Sequence, residues 1–147
     1  MWTRKFKVRS EFIGRATHGA DLLAEIQEFI EARDIRVGEF RAIGVLQTAR
    51  LGYYDQIAGK YVEFAPPGAP YEILSAIGNI SIKDGKPFPH VHMAISDREG
   101  RTFGGHLLEG CKIFALEFFI TEYEGDSLER TGDEATGLSL WPAPAWK

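Results

Sequence analysis

The sequence predicts an α+β fold: a single domain of mostly antiparallel β-sheet with one principal amphipathic helix. Three observations carry this expectation. A chain of 147 residues is one domain by length and can bury a real core. One segment, Asp21 to Arg33, stands out for helical periodicity. Nearly everything after Val37 reads as strand-length apolar runs punctuated by Gly, Pro and Asp-Gly turns.

Taken in order, Lys5-Phe6-Lys7-Val8-Arg9 alternates charged and apolar residues and reads as a half-exposed first strand running towards Ile13. Gly14 to Gly19 is a loop. The helix puts Leu22, Ile26, Phe29 and Ile30 on one face and Glu25, Glu28 and Glu31 largely on the other. Thr17 or His18 is expected at its N-cap, Asp21 in its first turn, and Gly38 in the turn beyond its end. Val37 to Leu46, Ala49 to Ile57 and Lys60 to Phe64 are strand-like, with Ala58-Gly59 as a tight turn. Ala65-Pro66-Pro67-Gly68-Ala69-Pro70 is a rigid loop that fits neither helix nor strand. Tyr71 to Ile82 is a long strand, turned back on itself at Lys83-Asp84-Gly85-Lys86. Pro87 and Pro89 place the next strand at an edge or a bulged entry. The last strand, Lys112 to Tyr123, is apolar on both sides: Phe114, Leu116, Phe118 and Ile120 on one face, Ile113, Ala115 and Phe119 on the other. One helix of about 20 Å covers only one face of a sheet, so a second layer is needed, either sheet closure or another subunit. Avoidance of large exposed apolar patches favours a subunit.

The domain is expected to span residues 1–125, leaving 126–147 as a C-terminal tail or arm. Its last stretch, Leu138 to Lys147, is Pro-rich with two Trp, and is either a frayed end or an arm that packs on a neighbouring chain.

Composition narrows the function classes. Net charge is −4 with both signs interspersed, which argues against a domain built to neutralise phosphates. The basic start lacks the apolar run of a signal peptide, and no apolar stretch approaches the ~20 residues that span a bilayer. A single Cys, Cys111, rules out an intrachain disulfide framework and reads as a small buried residue. The cytoplasm is the expected location, with no membrane partner. No phosphate-binding glycine loop or nucleophile elbow is present.

The chemistry concentrates in Pro89-His90-Val91-His92 and Gly104-Gly105-His106, which hold three of the four histidines. Residues i and i+2 of a strand share a face, so His90 and His92 point together. Asp97-Arg98-Glu99-Gly100 matches a three-residue hairpin loop closed by a bulge Gly. Closing it between Asp97 and Arg101 sets His92 opposite His106, on the face of His90. A lone strand histidine is most often a surface or hydrogen-bonded residue; three on one face in a compatible register tip the balance to a metal site. Three neutral imidazoles with room for a fourth ligand suit zinc, and copper, nickel or iron would also accept them. Gly104 and Gly105 mark a place where backbone approaches a ligand or another strand. Carboxylates able to orient the imidazoles are Asp84, Asp97 and Glu109. Strand parity sets Glu109 on the face away from His106 unless a bulge intervenes. His18 reads as a loop or cap residue, and Tyr53-Tyr54 as strand packing.

From about Phe6 to Tyr123 the chain resembles the PPC domain family (plants and prokaryotes conserved). The resemblance rests on Arg41-Ala42-Ile43-Gly44, Tyr71-Glu72-Ile73-Leu74-Ser75, Gly78-Asn79-Ile80, Pro89-His90-Val91-His92 and Gly104-Gly105-His106-Leu107-Leu108-Glu109-Gly110. It implies an antiparallel sheet with one helix, and a homotrimer. It also implies that His90, His92 and His106 match the histidines that hold a metal, generally zinc, in bacterial and archaeal members. In plants the domain follows AT-hook motifs, and the segment resembling Tyr71, Glu72, Ile73 and Leu74 serves contacts with transcription factors. This chain has no Arg-Gly-Arg-Pro core, so direct DNA binding does not carry over.

Three functions follow as expectations. The first is a stand-alone trimeric PPC-domain protein binding a metal, zinc foremost, through three histidines. The second is a DNA-associated or regulatory module acting through protein partners. The third is a metal-dependent hydrolase of a small molecule bound at the metal.

Overall fold

The computed structural model describes residues 2–142. Among them, one helix, α1 (Leu22–Ala32), lies on one face of an eight-stranded antiparallel sheet. The strands are β1 (Lys7–Arg15), β2 (Gly38–Leu46), β3 (Leu51–Asp55), β4 (Lys60–Phe64), β5 (Tyr71–Lys83), β6 (Lys86–Ser96), β7 (Thr102–Leu107) and β8 (Ile113–Glu124). Their order is β1-β8-β2-β5-β6-β7-β3-β4, and a short hairpin of β9 (Thr131–Gly132) and β10 (Ser139–Leu140) stands apart. The predicted α+β class holds.

The helix forms where its periodicity says, burying Leu22, Ile26 and Ile30 against the sheet. Burying each such side chain stabilises the fold by about 1.5–3 kcal/mol. Its cap is Asp21, not Thr17 or His18: the Asp21 carboxylate accepts the Ala24 N–H at 3.1 Å and the Gly110 N–H at 2.7 Å. Tying the helix start to the 108–112 loop in this way fixes Leu22 as the first helical residue. His18 instead donates its Nδ1–H to the Phe114 carbonyl, at 2.7 Å. Gly38 is not the stop either. The chain turns at Asp34 (φ 49°), and Gly38 opens β2, where a Cβ would fall 2.4 Å from the Thr121 carbonyl oxygen.

The core lies between helix and sheet, with Phe40, Ala76, Ile80, Val91, Met93, Ile95, Leu116 and Ile120 all buried. Along β8 the expected alternation is broken. A register slip opposite Val45 and Leu46 makes Phe114 an extra residue, so Ile113 enters the core and Phe114 is left 54% exposed. One inserted residue reverses the parity of everything before it.

The β5–β6 turn is a two-residue hairpin, with Lys83 paired to Lys86 and both Asp84 (φ 51°) and Gly85 (φ 80°) left-handed. Pro87 and Pro89 sit where β6 is paired only on its β5 side, since β7 joins it from His92 onward. Their missing N–H groups therefore cost no ladder bond.

The face away from α1 is partly covered by the chain itself. After β8 the segment returns along β5, with Ile82 N–H donating to Leu128 and Arg130 N–H to Ile82. The described part of the tail thus packs on its own domain; Trp146 lies outside the described residues. Among the described residues nothing covers the rest of this face, where Ile13, Ile43, Leu74 and Ile77 are each more than half exposed.

Candidate metal centre

Core packing aims the histidines. Val91, Met93 and Ile95 alternate into the core, so His90 and His92 must project from the opposite face of β6. The β6–β7 loop closes between Asp97 and Arg101, whose backbones bond at 3.1 Å, with Gly100 left-handed (φ 78°). The Asp97 carboxylate holds this loop by accepting the N–H groups of Glu99 and Arg101, both at 3.0 Å. The resulting register pairs His92 with His106, as the loop arithmetic predicts. Gly105 lets β7 pass close to β3: a Cβ there would lie 2.6 Å from the Gly52 carbonyl oxygen. The close approach anticipated at Gly104-Gly105 is thus to another strand.

His90, His92 and His106 each offer a ring nitrogen, and the three nitrogens lie within 4.8 Å of one another. Their ring centroids form a near-equilateral triangle with sides of 5.1, 5.0 and 5.4 Å. His90 and His106 are half-buried, and His92 is exposed. Burial, then the positive charge of Arg130 and the other imidazoles, lowers His90 to a pKa of about 4. Burial, then His92, Arg130 and Lys83, lowers His106 to about 4 as well. Both rings are therefore neutral at physiological pH, the form that binds metal.

The donor set fits a metal. His106 Nδ1 is buried with no hydrogen-bond partner, a state that costs about 1–3 kcal/mol unless something satisfies it. Tyr61 walls the site, its ring 5.6 Å from that of His106. Three imidazole nitrogens at this spacing would hold one divalent transition metal, which would act as a Lewis acid towards a further ligand.

The acids expected to orient the imidazoles lie elsewhere. Asp84 occupies the β5–β6 turn. Asp97 is consumed by its own loop and by Arg101, whose Nε donates to it at 2.7 Å. Glu109 borders α1 beside Leu23, Ala24 and Gln27. The polar neighbour of His90 is instead Arg130. Its Nη2 donates to His90 Nδ1 at 3.2 Å and to Asn79 Oδ1 at 2.9 Å. Its Nε donates to the fully buried Ser81 hydroxyl at 2.9 Å, and its Nη1 to the Ser139 carbonyl at 2.9 Å. The Trp141 ring lies against the guanidinium, 5.4 Å away. Nothing local in the sequence marks Arg130, because the tail reaches β5 only through tertiary folding. In the Tyr71–Leu74 segment, Tyr71 and Ile73 are core residues, while Glu72 and Leu74 face outward. Cys111 is buried, its thiol raised to about 11 chiefly by burial.

Comparisons with known proteins agree with this architecture. A metal-containing protein from Archaeoglobus fulgidus has a structure similar over 97% of this chain and 99% of its own, with 41% identity and a TM-score of 0.90. A plant- and prokaryote-conserved (PPC) protein from Pyrococcus horikoshii is similar over 99% of this chain and 100% of its own, with 34% identity and a TM-score of 0.90. The bifunctional protein GlmU of a Synechococcus species is 34% identical over 128 residues, 84% of this chain. The chain spans only about a fifth of the length of the curated relatives it matches, 19% and 21%. The family model of the Plants and Prokaryotes Conserved domain, written PCC or PPC, matches residues 3–124. With that match covering most of its length, the chain belongs to the Plants and Prokaryotes Conserved domain family.

Proposed function

We propose that this protein is a metal-binding PPC domain in which His90, His92 and His106 hold one divalent metal, zinc foremost. The observation that carries this reading is the convergence of three imidazole nitrogens within 4.8 Å, one of them on a ring whose Nδ1 is buried and unpartnered. The relative from Archaeoglobus fulgidus, described as metal-containing, supports it at 41% identity. Zinc is favoured over the alternatives because three imidazoles without a carboxylate or thiolate form a ligand set that leaves a fourth, exchangeable position. At that position a bound water would reach a pKa near ~7, which makes hydrolysis of a small molecule the reaction class to test first.

The functional unit is proposed to be a homotrimer, as the family resemblance implies. The solvent-accessible apolar residues of this face support burial between copies: Ile13, Phe119 and Ile77, with Arg41 between the last two, lead across the sheet to His92, so the metal centre sits at the end of this row. Among the described residues no helix is long and apolar enough to cross a membrane. The proposed location is the cytoplasm, as expected from the sequence.

Metal analysis of the purified protein, before and after reloading with zinc, tests the reading. About one zinc per chain is expected in the wild type and none in His92→Ala. A wild type that retains no metal after reloading contradicts it.

A further inference from the structure

His90 Nδ1 accepts a hydrogen bond from Arg130, and a guanidinium has no lone pair to offer in return. In this arrangement Nδ1 therefore carries the ring's lone pair, and neutral His90 keeps its proton on Nε2. A metal bound through Nδ1 takes the same lone pair that Arg130 uses. A metal bound through Nε2 moves the proton to Nδ1, where it faces the Arg130 N–H. Either way the Arg130–His90 bond and a metal on His90 exclude each other.

Arg130 has five N–H groups and spends four: on Ser81, Ser139, Asn79 and His90. Losing the His90 bond leaves two N–H groups without acceptors, one on each terminal nitrogen. The other partners still hold the guanidinium beside the metal. None of these partners is charged, so the cation has no counter-ion among the described residues. The Trp141 indole N–H, on the ring packed against Arg130, is also buried without an acceptor among the described residues.

A cavity of about 380 Å³ opens here, walled by His90, His106, Arg130, Lys60 and Lys83 and by no Asp or Glu among the described residues. A divalent ion added to these cations leaves the charge of the site uncompensated. What fits is a small oxyanion, a carboxylate or a phosphate-type group, which can ligate the metal and accept from Arg130 at once.

We infer that loading the metal releases Arg130 from His90 to form an anion subsite, so that metal and a small carboxylate or phosphate-type anion bind cooperatively. This rests on the metal reading above. The test is zinc affinity by competition with a chelator, at constant ionic strength, with and without acetate or sulfate. Wild-type affinity is expected to tighten by about ten-fold or more with at least one of the two anions, and by linkage the anion binds as much tighter to zinc-loaded protein. Acetate and sulfate separate the carboxylate from the phosphate-type source. Arg130→Met should bind zinc at the same stoichiometry but with no anion effect. Lys83→Met, at an exposed position, should fold normally and lose part of it. Zinc binding that is indifferent to both anions, or an undiminished anion effect in Arg130→Met, overturns the inference while leaving the metal reading intact. Absence of zinc binding in the wild type removes both.

Discussion

Replacing Arg130 by Met should destabilise the metal-free protein markedly, although Arg130 lies outside the span that matches the family. The substitution deletes four hydrogen bonds and strands the fully buried Ser81 hydroxyl. It also unties Ser139 and with it the β9–β10 hairpin. Hydrogen bonds from a charged donor are worth about 1.5–3 kcal/mol each, which sets an upper sum. Against it stands the burial of a cation with no counter-charge among the described residues, a cost that holds the Arg130 pKa below its ordinary value and that Met removes. Met also keeps much of the packing against Phe88 and Trp141. Leaving a buried polar partner such as the Ser81 hydroxyl unsatisfied costs about 1–3 kcal/mol, and with several partners stranded at once a net loss of about 3 kcal/mol is expected at this half-buried site. With an unfolding entropy of about 2.1 cal/mol/K per residue over 147 residues, that is a fall in Tm of roughly 10 °C. Thermal unfolding followed by circular dichroism in the presence of a chelator measures it. A Tm within about 2 °C of wild type would refute the claim that Arg130 ties the tail to the sheet.

Acid should weaken the metal-free fold through the same site. Because His90 and His106 fall to about 4 when folded, against ~6.5 when unfolded, the unfolded chain binds more protons in that window. Their contribution is complete above about pH 6.5, declines as pH falls, and is exhausted near pH 4; discounting for solvent leaves on the order of 1–2 kcal/mol per histidine. Denaturant titrations at a series of pH values should show this slope, and His106→Asn should flatten it; identical slopes in the two proteins would contradict it. Ile77→Asp should leave circular dichroism unchanged but dissociate the proposed trimer in light scattering, since Ile77 is 61% exposed beside His92. A wild type that is already monomeric would remove the proposed assembly.

Much of this was legible in sequence because it is local. Strand alternation and a three-residue loop ending in Gly100 are enough to put His92 opposite His106, since both follow from near-neighbour geometry. The two-residue turn at Asp84-Gly85 is legible for the same reason. What escaped depends on distant partners. The slip at Phe114 arises where β8 meets Val45 and Leu46 of β2, so parity read along β8 alone misplaces it. Asp21 caps α1 while also bonding Gly110, a contact between residues far apart in sequence. Arg130 is the clearest case: a charged residue in a polar tail becomes the neighbour of His90 only because residues 128–130 run along β5. The acids nearest in sequence to the histidines were the natural candidates to orient them, yet Asp97 closes its own loop and Asp84 sits at a hairpin tip.

X-ray absorption at the zinc edge of the loaded protein addresses the central claim most directly. Three imidazole nitrogens at about 2.0–2.1 Å, with their outer-shell scattering, and one further light-atom ligand are expected. His106→Ala should remove one imidazole or abolish binding. Sulfur scattering at about 2.3 Å, which only Cys111 or the methionines could supply, or a shell without imidazole features, would contradict a metal held by His90, His92 and His106.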